Sequence, residues 1–165
     1  MLDKMKKILL ITLAMAALAG CSKSNVWQSK DFTHTGCATD TRSGFDNENP
    51  SLLTLKYEDG DLRVTHSNAV LNCAFKERGL VCNVRVKGND IYYSVDYERQ
   101  EYLEANCICR VEKMSSAVPD LEEGKEYTLH YRVLYYGYKP ITFKFSKHFH
   151  QILDLDEWRD IVIVE

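Results

Sequence analysis

From Leu52 onward, apolar residues recur at every second position, and a period of two restricts this part of the chain to β-structure. Leu53, Leu55 and Tyr57 alternate with polar partners, Glu58-Asp59-Gly60-Asp61 reads as a turn, and Leu62 and Val64 resume the pattern, which predicts a hairpin. Ala69, Leu71, Cys73 and Phe75 share one face, and Leu80, Cys82, Val84 and Val86 share a face on the return strand. Lys76-Glu77-Arg78-Gly79 between them reads as a four-residue hairpin loop. After a turn at Gly88-Asn89-Asp90, Ile91, Tyr93, Val95 and Tyr97 point inward while Tyr92, Ser94 and Asp96 point out. Further strands fit residues 107–113, 127–135, 141–145 and 161–164. Helix is scarce: residues 154–159 allow one turn, with Trp158 covering an end of the core. About eight or nine short strands separated by turn residues predict an all-β fold, an antiparallel sandwich or barrel.

The N-terminus obeys different rules. Lys4, Lys6 and Lys7 precede an almost wholly apolar run over residues 8–18, and Ala19 and Gly20 then sit directly before Cys21. A spanning helix needs about 20 apolar residues, and this run is shorter. Leu18-Ala19-Gly20-Cys21 resembles the lipobox of bacterial lipoproteins. The resemblance implies that residues 1–20 are removed and that Cys21 is acylated, palmitate being one such acyl group. In that family an aspartate after the cysteine favours the inner membrane; Ser22 stands there, so the resemblance implies the outer membrane, on its periplasmic or cell-surface face. Two or three acyl chains, at about 0.8 kcal/mol per buried methylene, hold a protein down without help from its surface.

Removing residues 1–20 leaves 145, enough for one domain with its own core. It also removes a net +2 (Asp3, Lys4, Lys6, Lys7), taking the charge from −3 to −5. Mild acidity without a basic cluster argues against nucleic acid and against electrostatic docking on an anionic bilayer. The membrane link is therefore the lipid. Residues 21–50 are polar with no sustained period. They read as a tether, flexible to about Gln28, and then a segment that Trp27, Phe32 and Cys37 dock on a β-sandwich spanning 51–165. Within that body, Leu121, Gly124 and Tyr127 look like the leucine–glycine–tyrosine approach to a penultimate strand in immunoglobulin-like and fibronectin type III domains. There the tyrosine hydroxyl bonds back to nearby backbone. The same residues also fit a plain turn followed by a core tyrosine.

Five cysteines remain beyond Cys21: Cys37, Cys73, Cys82, Cys107 and Cys109. An envelope location is oxidising, so disulfides are expected. If residues 76–79 close a hairpin, Cys73 and Cys82 oppose each other on its buried side, with Cβ atoms about 4.5–5.5 Å apart, within reach of a bond. Cys107 and Cys109, two apart on one strand, take partners from elsewhere, including the docked segment. Two alternatives stay open: mostly buried thiols, or a tetrahedral zinc held by strand cysteines with the inward-pointing His66. Cys-x-Cys on a strand is not the usual zinc knuckle, and no metal or other cofactor is expected. Thr35-Gly36-Cys37, His66 with Asn68, Asn72-Cys73 and Cys107-Ile108-Cys109 resemble the motifs of a group of small bacterial lipoproteins with no assigned activity. The likeness supports the cysteine framework and carries no function with it.

No Gly-rich phosphate loop, nucleophile elbow or zincin helix is present, and strand cysteines on apolar faces stay neutral, so no catalytic residue is expected. His148 and His150, two apart, read as a surface pair; Asp154, Asp156 and Glu157 read as a solvated acidic loop. His34, His66 and His130 are scattered. Binding is signalled by tyrosine. Ten occur, with Tyr92, Tyr102, Tyr136 and Tyr138 as outward candidates, and Tyr135-Tyr136-Gly137-Tyr138 sits at an expected loop between strands. Tyr92, Tyr136 and Tyr138 are the candidate contacts to a glycan, a peptide or another envelope protein. Equally, such rings cover core edges and pair across strands. The expected function is a lipid-anchored binding or accessory module of the envelope, with a purely structural module as the alternative and an enzyme last.

Overall fold

The computed structural model describes residues 25–38, 49–100, 105–157 and 159–160. Two sheets carry nearly all of them. One is seven-stranded, in the order β1-β5-β6-β8-β9-β12 with β10 also on β8; the other is five-stranded, β11-β3-β4-β7-β2. The elements in chain order are β1 (Asn25–Gln28), β2 (Thr33–His34), β3 (Leu52–Glu58), β4 (Asp61–Asn72), α1 (Phe75–Arg78), β5 (Leu80–Lys87) and β6 (Asp90–Tyr97). There follow β7 (Ile108–Val118), β8 (Glu126–Val133), β9 (Tyr136–Tyr138), β10 (Ile141–Lys144), β11 (His150–Asp154) and β12 (Arg159–Asp160). The fold is an all-β sandwich, with one four-residue helix among the described residues. The strand count exceeds the expected eight or nine because β1, β2, β9 and β12 are short pieces of two to four residues. The segment at 161–164 and Trp158 lie outside the described residues.

The alternation does what a half-buried strand requires. On β6, Ile91, Tyr93, Val95 and Tyr97 are buried, and on β8 Tyr127, Leu129, Tyr131 and Val133 are. Both hairpins end on two-residue turns whose chemistry is legible. Asp59 and Gly60 have φ of 53° and 101°, the doubly left-handed turn that matches strand twist; Gly88, at φ 62°, takes the first position of the next.

Three expectations are corrected. Residues 76–79 do not close a hairpin: β4 lies in the five-stranded sheet and β5 in the seven-stranded one, and α1 carries the chain between them. Buried Phe75 and Arg78 anchor the crossing, and the Arg78 guanidinium lies 3.5 Å from the centre of the Tyr97 ring. Gly79 closes it at φ 69°, where a Cβ would meet the Glu98 carboxylate at 2.7 Å. Secondly, β6 and β8 run parallel, because β7 takes the intervening chain through the other sheet. Thirdly, Asn25–Gln28 is not free tether but pairs antiparallel with the edge of β5, and Thr33–His34 pairs with β7. The N-terminal segment thus straps one edge of both sheets.

Asn68 explains a phase change inside β4. Inward residues are Leu62, Val64 and His66 before it, then Ala69 and Leu71. Its φ of 59° and a side-chain hydrogen bond to the Pro50 carbonyl (3.1 Å) rotate the strand by one residue. In the turn before β8, Tyr127 Oη accepts a hydrogen bond from the Glu122 N–H at 2.9 Å.

Candidate functional site

Parallel pairing of β6 and β8 sets the outer face of the seven-stranded sheet. Its register places Tyr92 beside His130 and Ser94 beside Arg132, and the antiparallel β5 places Arg85 on the other side of Tyr92. The Tyr92 and His130 rings stack at 4.7 Å and 11°, and the Arg85 guanidinium lies 4.6 Å from the Tyr92 ring centre. Asp90 Oδ1 lies 2.9 Å from His130 Nε2. Asp96 accepts from Arg132 Nη2 at 2.7 Å and from Ser94 Oγ at 2.8 Å. Of these groups Tyr92, Ser94, His130 and Arg132, with the Gly137 and Tyr138 segment of β9, border an open groove of about 370 Å³. The chain presents here an aromatic surface flanked by charges that already have partners. Such an array is pre-ordered, so a ligand meets little side-chain entropy cost on binding.

A second groove, about 440 Å³, lies on the outer face of the five-stranded sheet and is the more charged. Three of its charges, Asp31, Glu58 and Arg63, are committed to structure. Arg63 pairs with Asp31 at 2.5 Å and Glu58 at 3.2 Å. Asp31 also accepts from Ser29 Oγ and from the Ala117 N–H (3.0 Å). Burial pushes the Asp31 carboxyl up, but the hydrogen bonds from Ser29, Ala117 and Arg63 outweigh it and hold the group below its ordinary 3.8. This cluster fastens the N-terminal strap, and that is why the Tyr92 face is the better site despite its smaller volume.

The tyrosines separate. Tyr92 is outward and 37 % exposed, as expected, and Tyr136 is exposed on β9. Tyr138 is not outward: it opposes Tyr131 by register, its ring lies 5.4 Å from Tyr131, and it stands edge-on to His66 at 6.4 Å. It covers a core edge. The expected loop at 135–138 is instead a two-residue turn, Leu134-Tyr135, followed by β9. Tyr102 lies outside the described residues.

Sequence reasoning missed a polar core. His66, 3 % exposed, takes Ser51 Oγ on Nε2 at 2.7 Å and Tyr131 Oη on Nδ1 at 2.8 Å. A serine on one imidazole nitrogen has nucleophile–base geometry, and both side chains are buried. The network pins β4 to the start of β3 and, across the core, to β8. The only advance signal was the inward phase of His66.

The cysteines also resolve differently from expectation. Cys73 bonds Cys107 and Cys37 bonds Cys109; Cys82 is a buried free thiol. The expected Cys73–Cys82 bond fails because α1 sends the two residues to different sheets. Of the residues weighed for zinc, Cys37, Cys73 and Cys109 do come within 4.8 Å of one another, but their sulfurs are in disulfides and are not thiolate ligands there, while His66 belongs to the polar core and Cys82 contacts Tyr93 and Ser116. Burial pushes the Cys82 thiol up to about 11. His148 and His150 are exposed, and Asp154 and Asp156 meet in a turn where Asp154 Oδ1 accepts the Asp156 N–H.

Residues 5–22 match the prokaryotic membrane lipoprotein lipid attachment site, and the chain is a membrane-anchored lipoprotein. No curated protein and no solved structure matches it. Among the described residues no helix is long and apolar enough to cross a membrane.

Proposed function

We propose that this lipoprotein is an accessory module of the outer membrane that binds a protein partner through the outer face of its seven-stranded sheet. The observation that carries the reading is the pre-ordered array of Arg85, Tyr92, His130 and Arg132 on three adjacent strands. Aromatic and arginine side chains dominate the energetics of protein interfaces, and rings already held by neighbours lose little freedom on contact. Exposed Tyr135 and Tyr136 lie on the turn and strand next to β8, with Tyr136 opposite inward-facing Val133 and so outside this array. β1 begins at Asn25, four residues after Cys21, so the chain between the lipid anchor and the strap can span at most about 14 Å.

Site-directed photo-crosslinking in the native envelope tests this. A photoreactive residue at Tyr92 yields a discrete higher-mass adduct, and one at Thr54 on the opposite sheet does not. Equal adducts from both positions, or none from Tyr92, refute the proposal and leave a structural envelope role as the better account.

A further inference from the structure

The two disulfides are neighbours. The sulfurs of Cys37, Cys73 and Cys109 all lie within 4.8 Å of one another, and Cys107 is bonded to Cys73. Cys107 is exposed, whereas Cys109 is 5 % exposed, so the pair has an outer and an inner bond. Backbone contacts hold the four residues together independently of sulfur. The Cys73 N–H donates to the Cys107 carbonyl at 3.0 Å. Asn72 clamps the same junction: its Oδ1 accepts the N–H groups of Ala74 and Ala105, both at 2.9 Å, and its Nδ2 donates to the Ala105 carbonyl at 2.7 Å. Cys37 is held by its bridge to Val111 and by the Ala38 N–H on the Arg110 carbonyl at 3.0 Å. Opening either bond therefore leaves its sulfurs close to the other, and groups held together in this way react at a high effective concentration.

We propose that these four cysteines form a thiol–disulfide exchange site, entered at Cys107 by an external protein dithiol and relayed inward through Cys73. The incoming thiolate attacks Cys107 Sγ, forms a mixed disulfide there, and expels Cys73 as a thiolate. Cys73 attacks one sulfur of the Cys37–Cys109 bond, forms a new disulfide, and expels the other as a thiolate, which takes up a proton. The second thiol of the donor resolves the mixed disulfide, leaving Cys107 as a thiol and the donor oxidised. Two electrons enter, one protein disulfide remains, and two protein thiols appear. When the new bond is Cys73–Cys109, Cys37 is released, and with it the covalent tie between the anchor-side strap and β7.

The test uses the acylated full chain in detergent micelles. Cys107→Ser leaves Cys73 without its partner beside an intact disulfide. Acid quenching, alkylation and peptide mapping then locate the freed thiol. The proposal expects at least about a tenth of that label on Cys37 or Cys109, the share left when the native bond is favoured tenfold. Label confined to Cys73 overturns it. Partial reduction of the wild-type chain with dithiothreitol gives a second reading that needs no variant. Two-electron-reduced molecules containing Cys37–Cys73 or Cys73–Cys109 linkages support exchange, and only native linkages overturn it.

Discussion

Cys82 offers the sharpest check on the packing. Its side chain is fully buried, with 0 % exposure, and burial lifts the thiol from an ordinary 9.0 to about 11. Alkylation by iodoacetamide requires a thiolate in the open, so a native molecule must unfold at this site first. For a domain at the low end of ordinary stability, about 5 kcal/mol, labelling at pH 8 is slowed at least roughly 4,000-fold relative to chain unfolded in urea without reductant. The pH dependence follows from linkage. The folded state favours the protonated thiol, so its contribution is whole below 9.0 and is lost as pH rises from there to about 11, up to roughly 2.7 kcal/mol. Protection at pH 10 should therefore be about tenfold smaller than at pH 8. Burial raises Tyr93 and Tyr131 as well, and they push in the same direction, so tenfold is the lower bound. Pulsed labelling with peptide mapping reads each quantity. Native labelling at the unfolded rate refutes the burial, and equal protection at both pH values refutes the desolvation. A Cys82 that stays unlabelled after unfolding refutes the disulfide pairing.

Other outcomes follow from separate parts of the molecule. Tyr127→Phe removes the acceptor of the Glu122 N–H, which lies near solvent and recovers water, so urea unfolding should show a loss of about 1 kcal/mol; no change in midpoint would mean the corner is only a turn. Asp31→Asn removes the anion that Arg63 and the Ala117 N–H address. Because the Asp31 carboxyl is held below 3.8, its contribution is present above that value and is lost as the pH falls through the lower folded value. The protection factor of the Ala117 amide, its exchange rate set against the intrinsic rate at the same pH, should fall in wild-type protein on acidification below 3.8, and the variant should show no such fall; an unaltered protection factor in the wild type would separate Asp31 from the strap. Ser22→Asp should move the lipoprotein from the outer- to the inner-membrane fraction on density-gradient separation, and an unmoved variant would count against the outer-membrane reading.

How much of this was legible depended on whether side chains or backbone carried the information. β6 and β8 were readable because their inner residues form an unbroken apolar series, and the Asp59-Gly60 turn because its left-handed geometry needs those residue types. The strap was not. β1 docks by adding its backbone to the open edge of β5, a contact that leaves no periodic trace in Asn25-Val26-Trp27-Gln28. The α1 crossing failed for a different reason. The inner faces of two packed sheets carry the same apolar alternation, so residues 69–75 and 80–86 look alike whether they pair or oppose each other across the core.

That ambiguity is what misplaced the cysteines, and it bears on function. Disulfide pairing depends on which sheet each strand enters, and only α1, with Phe75 and Arg78 buried and Gly79 against Glu98, sends β5 away from β4. Once it does, Cys82 is sealed beside Tyr93 while the other four sulfurs gather where β4, β7 and the strap meet. The free thiol is therefore the one least able to react, and the two bonds lie where the anchored segment joins the body. Chemistry at that junction changes how the body is held without disturbing the Tyr92 face on the other sheet, so attachment and recognition are physically separable. With the photoreactive residue at Tyr92, substitution of Arg85 or Arg132 should abolish crosslinking while leaving the disulfide map unchanged, and Cys107→Ser should do the reverse; a variant at either place that alters both would mean the two regions are coupled through the core.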